Sequence, residues 1–199
     1  MGLSERKIKH REEVRASILE AAREVVLKEG WQALSIRKIA EAIDYSVPVI
    51  YDHFINKEAL LLEFVTQGFG LLNRKLESAR NSVIEPELQI RAIGYAYLKF
   101  SGEHKEYYRL MFGLGVPSCE AMKEIPELNS FMQIVIEPIS ILISRNKHKQ
   151  MDERVKFKNF WASLHGSISI DILDITGKRG LNKKIMEDFF ESFLAGIKN

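Results

Sequence analysis

Apolar residues along most of the chain recur every three or four positions, the spacing of amphipathic helices. This pattern covers Glu12 to Glu29 and ends at Gly30, a residue that suits the left-handed position after a helix. A second helix is predicted at Ile36–Ile43, because the Ser35 hydroxyl can cap its free amides. No segment shows the alternation typical of a strand. The pattern therefore predicts an all-α fold.

The same spacing, together with capping residues, predicts the remaining elements. Ser46 offers a second cap, Pro48 fits the first turn of a helix, and Asn56 can cap a long helix that ends near Ala79. The other predicted segments are Val47–His53, Pro86–Glu103, an aromatic segment Tyr107–Phe112, a turn at Gly113–Pro117, Glu127–Arg145 kinked at Pro138, Asp152–Thr176 and Asn182–Ile197. About nine helices result.

Composition and charge narrow the class of protein without naming its partner. Cys119 is the single cysteine, so no disulfide can form within the chain. No stretch resembles a signal peptide or a membrane span, and we expect a cytoplasmic protein that does not bind membranes. The formal net charge is only +2. Basic residues nevertheless gather at the start, where Arg6, Lys7, Lys9 and Arg11 accompany a single acidic residue, Glu5. This segment could equally be a solvated tail.

Two short helices, Ile36–Ile43 and Val47–His53, have the spacing of a helix-turn-helix. Ala40 is small enough to let them cross closely, and Asp44 tolerates the positive φ that the turn requires. Ile50 and Phe54 lie four positions apart and can anchor the second helix. Ile36, Ile39 and Ile43 supply the opposing apolar face.

The outward residues of the second helix are candidates for DNA contacts. Val47 and Pro48 could contact thymine methyl groups, while the hydroxyls of Ser46 and Tyr51 could bind phosphates. The complete candidate set is Ser35, Arg37, Lys38, Ser46, Val47, Pro48, Val49, Tyr51, His53 and Lys57. Spacing alone leaves open an ordinary bundle of short helices with solvated ends.

The segment from Ser35 to Leu60 resembles the DNA-binding domain of the TetR family. Its sequence is SIRKIAEAIDYSVPVIYDHFINKEAL. The resemblance includes the motif Tyr-x-His-Phe-x-x-Lys-Glu-x-Leu at 51–60 and extends over about Ile18 to Leu62. The chain departs from the family pattern at Asp44 and Tyr45, where Gly and a small aliphatic residue are usual. A slightly strained turn is expected there.

This resemblance implies a transcriptional regulator, most simply a ligand-released repressor that binds a near-palindromic operator in double-stranded DNA as a homodimer. It divides the chain into an N-terminal arm with the helix-turn-helix, residues 1–58, and a helical effector-binding and dimerisation domain, residues 59–199. The effector would be an unidentified small molecule. The segments FWASLHG (160–166) and YYRLMFG (107–113) are similar to a subgroup marked by Trp-x-x-x-His-Gly.

Candidate residues for the effector pocket and the dimer interface follow from that resemblance. Trp161 and His165 lie four apart and share one helix face, so both can point into a single cavity. The pocket candidates are Tyr97, Phe100, Tyr107, Met111, Phe112, Trp161 and His165, and the dimer candidates are Gly166, Ile168, Phe189 and Phe193. His165 could equally be a core or interface residue, and the aromatic residues could be plain core.

Two other classes of protein agree less well with the sequence. An enzyme is not indicated, because the chain has no His-Glu-x-x-His, no phosphate-binding glycine loop and no Gly-x-Ser-x-Gly. No metal and no cofactor are predicted. A helical protein that binds another protein instead of DNA is opposed by the basic N-terminal segment and by Tyr51 and Lys57, which occupy phosphate-contact positions in the resemblance.

Overall fold

The computed structural model describes residues 3–112, 125–145, 151–172 and 181–198. Within these residues it contains nine α-helices and no strand, which confirms the all-α prediction. The helices are α1 Leu3–Glu29, α2 Ile36–Ala42, α3 Val47–His53, α4 Lys57–Asn81, α5 Pro86–Glu103, α6 Lys105–Phe112, α7 Pro126–Arg145, α8 Glu153–Ile172 and α9 Leu181–Lys198. A short 3-10 turn, Trp31–Ala33, follows α1. None of the described helices is long and apolar enough to cross a membrane.

Helix α1 begins earlier than its apolar pattern predicts. The expected start was Glu12, but the helix starts at Leu3 and includes the whole basic segment. That segment contains no Gly or Pro, its residues favour helix, and Lys9 pairs with Glu13 one turn later at 3.8 Å. The predicted end of α8 at Thr176, the turn at Gly113–Pro117 and Cys119 lie outside the described residues.

Two of the three predicted caps form hydrogen bonds. The Ser35 hydroxyl accepts from the Lys38 amide at 3.2 Å, and the Asn56 side chain accepts from the Ala59 amide at 2.7 Å. Ser46 occupies the N-cap position of α3 but makes no capping hydrogen bond with its side chain. Its hydroxyl is therefore not committed to the helix that it precedes.

The chain divides into two compact units. The first combines residues 1–67 with 106–124, and the second combines 68–105 with 125–199. The boundary between them falls within α4, which is one continuous helix. The division at residue 58 remains a prediction about domains.

The core of the first unit is built on one face of α1. Val14, Ile18, Ala22 and Val26 are buried at regular four-residue spacing, and α2 and the 3-10 turn pack against this helix. Trp31 joins the start and the end of the unit. Its ring lies edge-on to Phe64 at 5.2 Å, and its indole N–H donates to the Glu106 carbonyl at 2.7 Å.

Phe131 of α7 is the centre of one aromatic cluster in the second unit. Its ring lies about 6 Å from four others, which come from α4, α5 and α8: Phe69, Tyr97, Phe157 and Trp161. The pairs are tilted or edge-on, the arrangements that aromatic rings prefer. This cluster holds four helices around one buried side chain.

A second aromatic cluster joins α8 to α9 and depends on a glycine in α5. Phe160 contacts Phe189, Phe190 and Phe193 with ring centroids 5.5 to 6.4 Å apart. The Phe190 ring also lies against Gly94, where an added Cβ would stand 2.5 and 2.7 Å from two of its ring carbons. Only glycine allows this approach.

We therefore expect Gly94→Ala to destabilise the protein by about 1–3 kcal/mol, because the fully buried Phe190 ring must shift to admit the added Cβ. The measurement is the free energy of unfolding in urea. Gly102 is the matched control, since it lies in the same helix and a Cβ there meets nothing within 4 Å. Gly102→Ala should stabilise by up to about 1 kcal/mol through helix propensity. Equal effects of the two substitutions would contradict the proposed contact.

Candidate nucleic-acid interface

The turn between α2 and α3 adopts the conformation that the sequence requires. Asp44 has φ of 56°, and among the described residues it is the one non-glycine residue with positive φ. The Tyr45 amide donates to the Ala40 carbonyl at 3.0 Å, and the Asp44 amide donates to the Glu41 carbonyl at 3.4 Å. These two bonds close α2 as a Schellman motif, so α3 can leave at a sharp angle.

Helix α3 is anchored by two apolar residues on its inner side. Ile50 is fully buried and Phe54 is 4% exposed. Ile39 and Ala40 of α2 are buried as well, and α2 packs on both α1 and α3. Burial confirms the predicted inner face at Ile36, Ile39, Ile50 and Phe54, whereas Ile43 is only half-buried.

The opposite side of α3 is open. Ser46, Pro48 and Tyr51 are exposed, while Val47 and Val49 are half-exposed. Tyr51 presents 49% of its surface. An exposed, apolar-tipped helix of two turns has dimensions that suit the major groove, although its DNA contacts remain a prediction.

The remaining DNA-contact candidates outside α3 lie at the starts of α2 and α4, which precede and follow α3 in the chain. Ser35 uses its hydroxyl for the α2 cap, and Lys57 is the first residue of α4. Arg37 bonds Glu41 at 2.9 Å, and Lys38 bonds Glu29 at 2.7 Å. Exposed pairs of this kind are held weakly, so a phosphate can replace either carboxylate.

His53 differs from the other candidates because its imidazole is half-buried. Burial, followed by the nearby charge of Arg11, lowers its pKa below the ordinary value. Its Nδ1 atom is buried and has no hydrogen-bond partner among the residues that the structure describes. The lowered pKa favours the uncharged imidazole.

Arg15 holds the end of α3 in place, a role that sequence reasoning missed. Its guanidinium lies 4.9 Å from the centre of the Phe54 ring and 2.5 Å from a Glu63 carboxylate oxygen on α4. Gln67 donates to the other Glu63 oxygen at 3.1 Å and accepts from the Tyr107 hydroxyl at 3.4 Å. Polar contacts thus connect α1, α3, α4 and α6 within the first unit.

The pocket candidates fall in both units, and each group is described within its own unit. In the second unit Tyr97 and Phe100 are buried, and the Trp161 indole donates to the Tyr97 hydroxyl at 3.0 Å. The His165 ring lies 6.4 Å from that of Trp161, and burial lowers its pKa. A shared position on α8 is confirmed for Trp161 and His165, but a pocket role stays a prediction.

The remaining pocket candidates lie in the first unit, on α6. Tyr107 packs against Phe64 at 6.5 Å in addition to its bond with Gln67. Met111 is buried, and Phe112 lies 4.8 Å from Tyr108. An effector role for these three residues also remains untested by the geometry.

The dimer candidates lie on α8 and α9. Ile168 and Phe193 are buried within the chain at 5% and 8% exposure, and Phe189 is half-buried against its aromatic neighbours. Gly166 lies on the more open side of α8, where an added Cβ would meet nothing within 4 Å.

Among the residues that the structure describes, no three His, Cys, Asp or Glu side chains form a group that could hold a metal ion.

Comparison with protein families gives two matches that together cover most of the chain. A family model described as "Bacterial regulatory proteins, tetR family" matches residues 18–64. A second, described as "Tetracyclin repressor-like, C-terminal domain", matches residues 90–197. Neither description mentions the Trp-x-x-x-His-Gly subgroup, which stays a prediction.

Individual relatives agree with these matches. The HTH-type transcriptional activator FasR of Mycolicibacterium smegmatis is 30% identical over 102 residues, which are 51% of this chain and 47% of that relative. The chain thus spans about half the length of this curated relative.

Two solved structures are similar to almost the whole chain. A protein of unknown function from Rhodococcus sp. RHA1 matches with a TM-score of 0.77 and 20% identity over 93% of this chain and 95% of that one. The transcriptional regulator FadR from Bacillus subtilis, solved in complex with stearoyl-CoA, matches with a TM-score of 0.71 and 17% identity over 91% and 98%. Identities this low show a shared fold.

The Arg15 contacts can be tested by Arg15→Met, which keeps an apolar stem but removes the charge. We expect a loss of about 1 kcal/mol in the free energy of unfolding, because a half-exposed ion pair and a cation–π contact are both lost. Lys28→Met is the control, since it removes an exposed pair with Glu24 on the same helix and should cost no more than about 0.5 kcal/mol. Equal losses would show that Arg15 is an ordinary surface charge.

Proposed function

Because the chain belongs to the TetR family of bacterial regulatory proteins, we propose that it controls transcription by placing α3 in the major groove of an operator. It is a regulator and not an enzyme. The observation that carries the proposal is the arrangement of α3. Ile50 and Phe54 hold its inner side, the left-handed Asp44 sets its exit from α2, and its outer side is open.

The residues of the interface would divide their work. Val47 and Pro48 lie at the start of α3, and the N-terminal residues of a recognition helix contact base edges. Their apolar side chains could pack against thymine methyl groups. Tyr51, Lys57, Arg37 and Lys38 suit phosphates, which fix the position of the helix but carry no sequence information.

We propose further that the protein acts as a homodimer through α8 and α9. The outward side of α8 carries four exposed residues and one half-exposed residue, none of them charged, at spacings of three and four: Val155, Asn159, Ala162 and Ile170 are exposed, and Gly166 is half-exposed. Exposed Ile185 begins a similar face on the adjacent α9. Two copies packed on these faces would form a four-helix bundle. Their two α3 helices would then require a near-palindromic operator with half-sites about 34–36 Å apart or somewhat more.

Repression with release by a small amphipathic effector is the regulatory mode that we propose. Blocking polymerase requires only occupied DNA and no further contact surface. FasR is named an activator, so the direction of control must be measured. Transcription in vitro from a bound promoter should fall when the protein is added, and a rise would make the protein an activator.

The FadR structure contains stearoyl-CoA, which makes this compound the first effector to try in the second unit.

The division of labour within the interface predicts two distinct classes of variant. Tyr51→Phe combined with Lys57→Ala should weaken binding to all sequences and flatten its salt dependence, whereas Val47→Ala should change the preferred sequence. The measurement is retardation of DNA fragments from the region upstream of its own gene, at several salt concentrations.

Identical behaviour of the two classes would contradict the proposed roles, and no retardation of any fragment at low salt would exclude the DNA-binding function itself. The same assay repeated with stearoyl-CoA tests release, with octanoyl-CoA as the short-chain control. A coupling of about 1–3 kcal/mol would lower the DNA affinity about 5- to 150-fold.

The dimer proposal predicts that Ala162→Arg gives monomers, because it places a charge at the centre of the proposed interface. Ala162 is exposed in the single chain, so the substitution leaves the core intact, unlike a charge at the buried Phe193. Sedimentation equilibrium measures the molar mass. Ala16→Arg, at an exposed position of α1, is the control and should remain dimeric. A dimeric Ala162→Arg variant would place the interface elsewhere.

A further inference from the structure

The first three turns of α1 extend beyond the protein core and form one wall of an open cleft. Every side chain from residue 4 to residue 13 is exposed. The opposite wall is the side of α3 that faces α1. We call this space, of about 590 Å³, the arm cleft; its lining residues are Lys7, His10, Arg11 and Val14 on α1, and Tyr45, Val49, Asp52 and His53 on the other side.

The arrangement of charge favours an anion in the arm cleft. Arg11 is held by a hydrogen bond of 3.2 Å to the backbone carbonyl of Asp52, which leaves its positive charge without a carboxylate partner among the described residues. Lys7 has no ion pair in the described part of the chain either. The Asp52 carboxylate is the one acidic group that lines the cleft, and two permanent cations outweigh it.

The cleft runs along one flank of the proposed recognition helix. A helix that lies in the major groove, about 12 Å wide, has a phosphate backbone on each side. Val49 and Asp52 mark the flank of α3 that lines the cleft. A DNA strand on this flank would therefore pass between α3 and the start of α1.

We propose that the arm cleft binds the phosphate backbone of operator DNA, with Lys7 and Arg11 as its cations. The proposal rests on the DNA-binding function above and adds a contact outside the helix-turn-helix. The family match begins at residue 18, so the residues of the arm lie outside the matched helix-turn-helix region. Arg11 has a second role, because its bond to the end of α3 fixes the arm beside the recognition helix.

The chain offers a matched pair of lysines for the test. Lys7 lines the cleft, whereas Lys9, two residues along the same exposed helix, pairs with Glu13 and does not line it. Lys7→Ala and Lys9→Ala remove the same charge from the same segment. The measurement is the DNA affinity of the full-length protein at several salt concentrations, with the retarded fragment described above as the probe.

For Lys7→Ala the slope of log affinity against log salt should fall by about 0.9, the value for one lost phosphate contact on duplex DNA. For Lys9→Ala the slope should not change. Equal slopes for Lys7→Ala and the wild-type protein, or equal reductions by both variants, would overturn the arm cleft while leaving the DNA-binding function intact. A wild-type protein that retards no fragment would instead refute that function.

Discussion

Helix α3 has seven residues, and a helix of that length has no stability of its own in water. Its presence and its direction therefore depend on tertiary contacts, above all the burial of Ile50 and Phe54. The closed end of α2 fixes where α3 starts, and Arg15 secures its last turn through Phe54 and Glu63. The outward side of α3 is free of core contacts because two buried residues, Ile50 and Phe54, are enough to hold the helix.

The fold and the helix-turn-helix could be predicted from the sequence because their determinants are local. Ala40, Asp44 and Ile50 lie within eleven consecutive residues, and each has a requirement of size, φ or polarity that shows in its residue type. The start of α1 could not be predicted in this way, since a solvated helix carries no apolar stripe. The positions of Lys7, Arg11, Val14 and Ile18, spaced by four, three and four, were the available sign that the helical face continues.

Contacts between distant residues explain what else was missed. Arg15 and Glu63 are 48 positions apart, and no pattern in one sequence joins them. On α9, Ile185, Phe189, Phe193 and Ile197 recur every four residues, but the fully buried ring is that of Phe190, which lies outside this repeat. Ile185 is instead 45% exposed. A periodic pattern shows that a helix is amphipathic, but its neighbours decide which flank is covered.

Glu29 and Glu41 place negative charge beside two of the basic residues proposed to bind phosphates, Lys38 and Arg37. Each carboxylate pairs with a basic side chain of the free protein, so under the proposed function Lys38 and Arg37 would exchange an internal counterion for a phosphate. The freed carboxylates would take up cations from solution and offset part of the ion release that drives binding to any polyanion. Under the proposed function, random DNA would offer only this exchange, whereas an operator would add the base contacts of α3. The two acids would then act as weak internal competitors that lower the affinity for any polyanion.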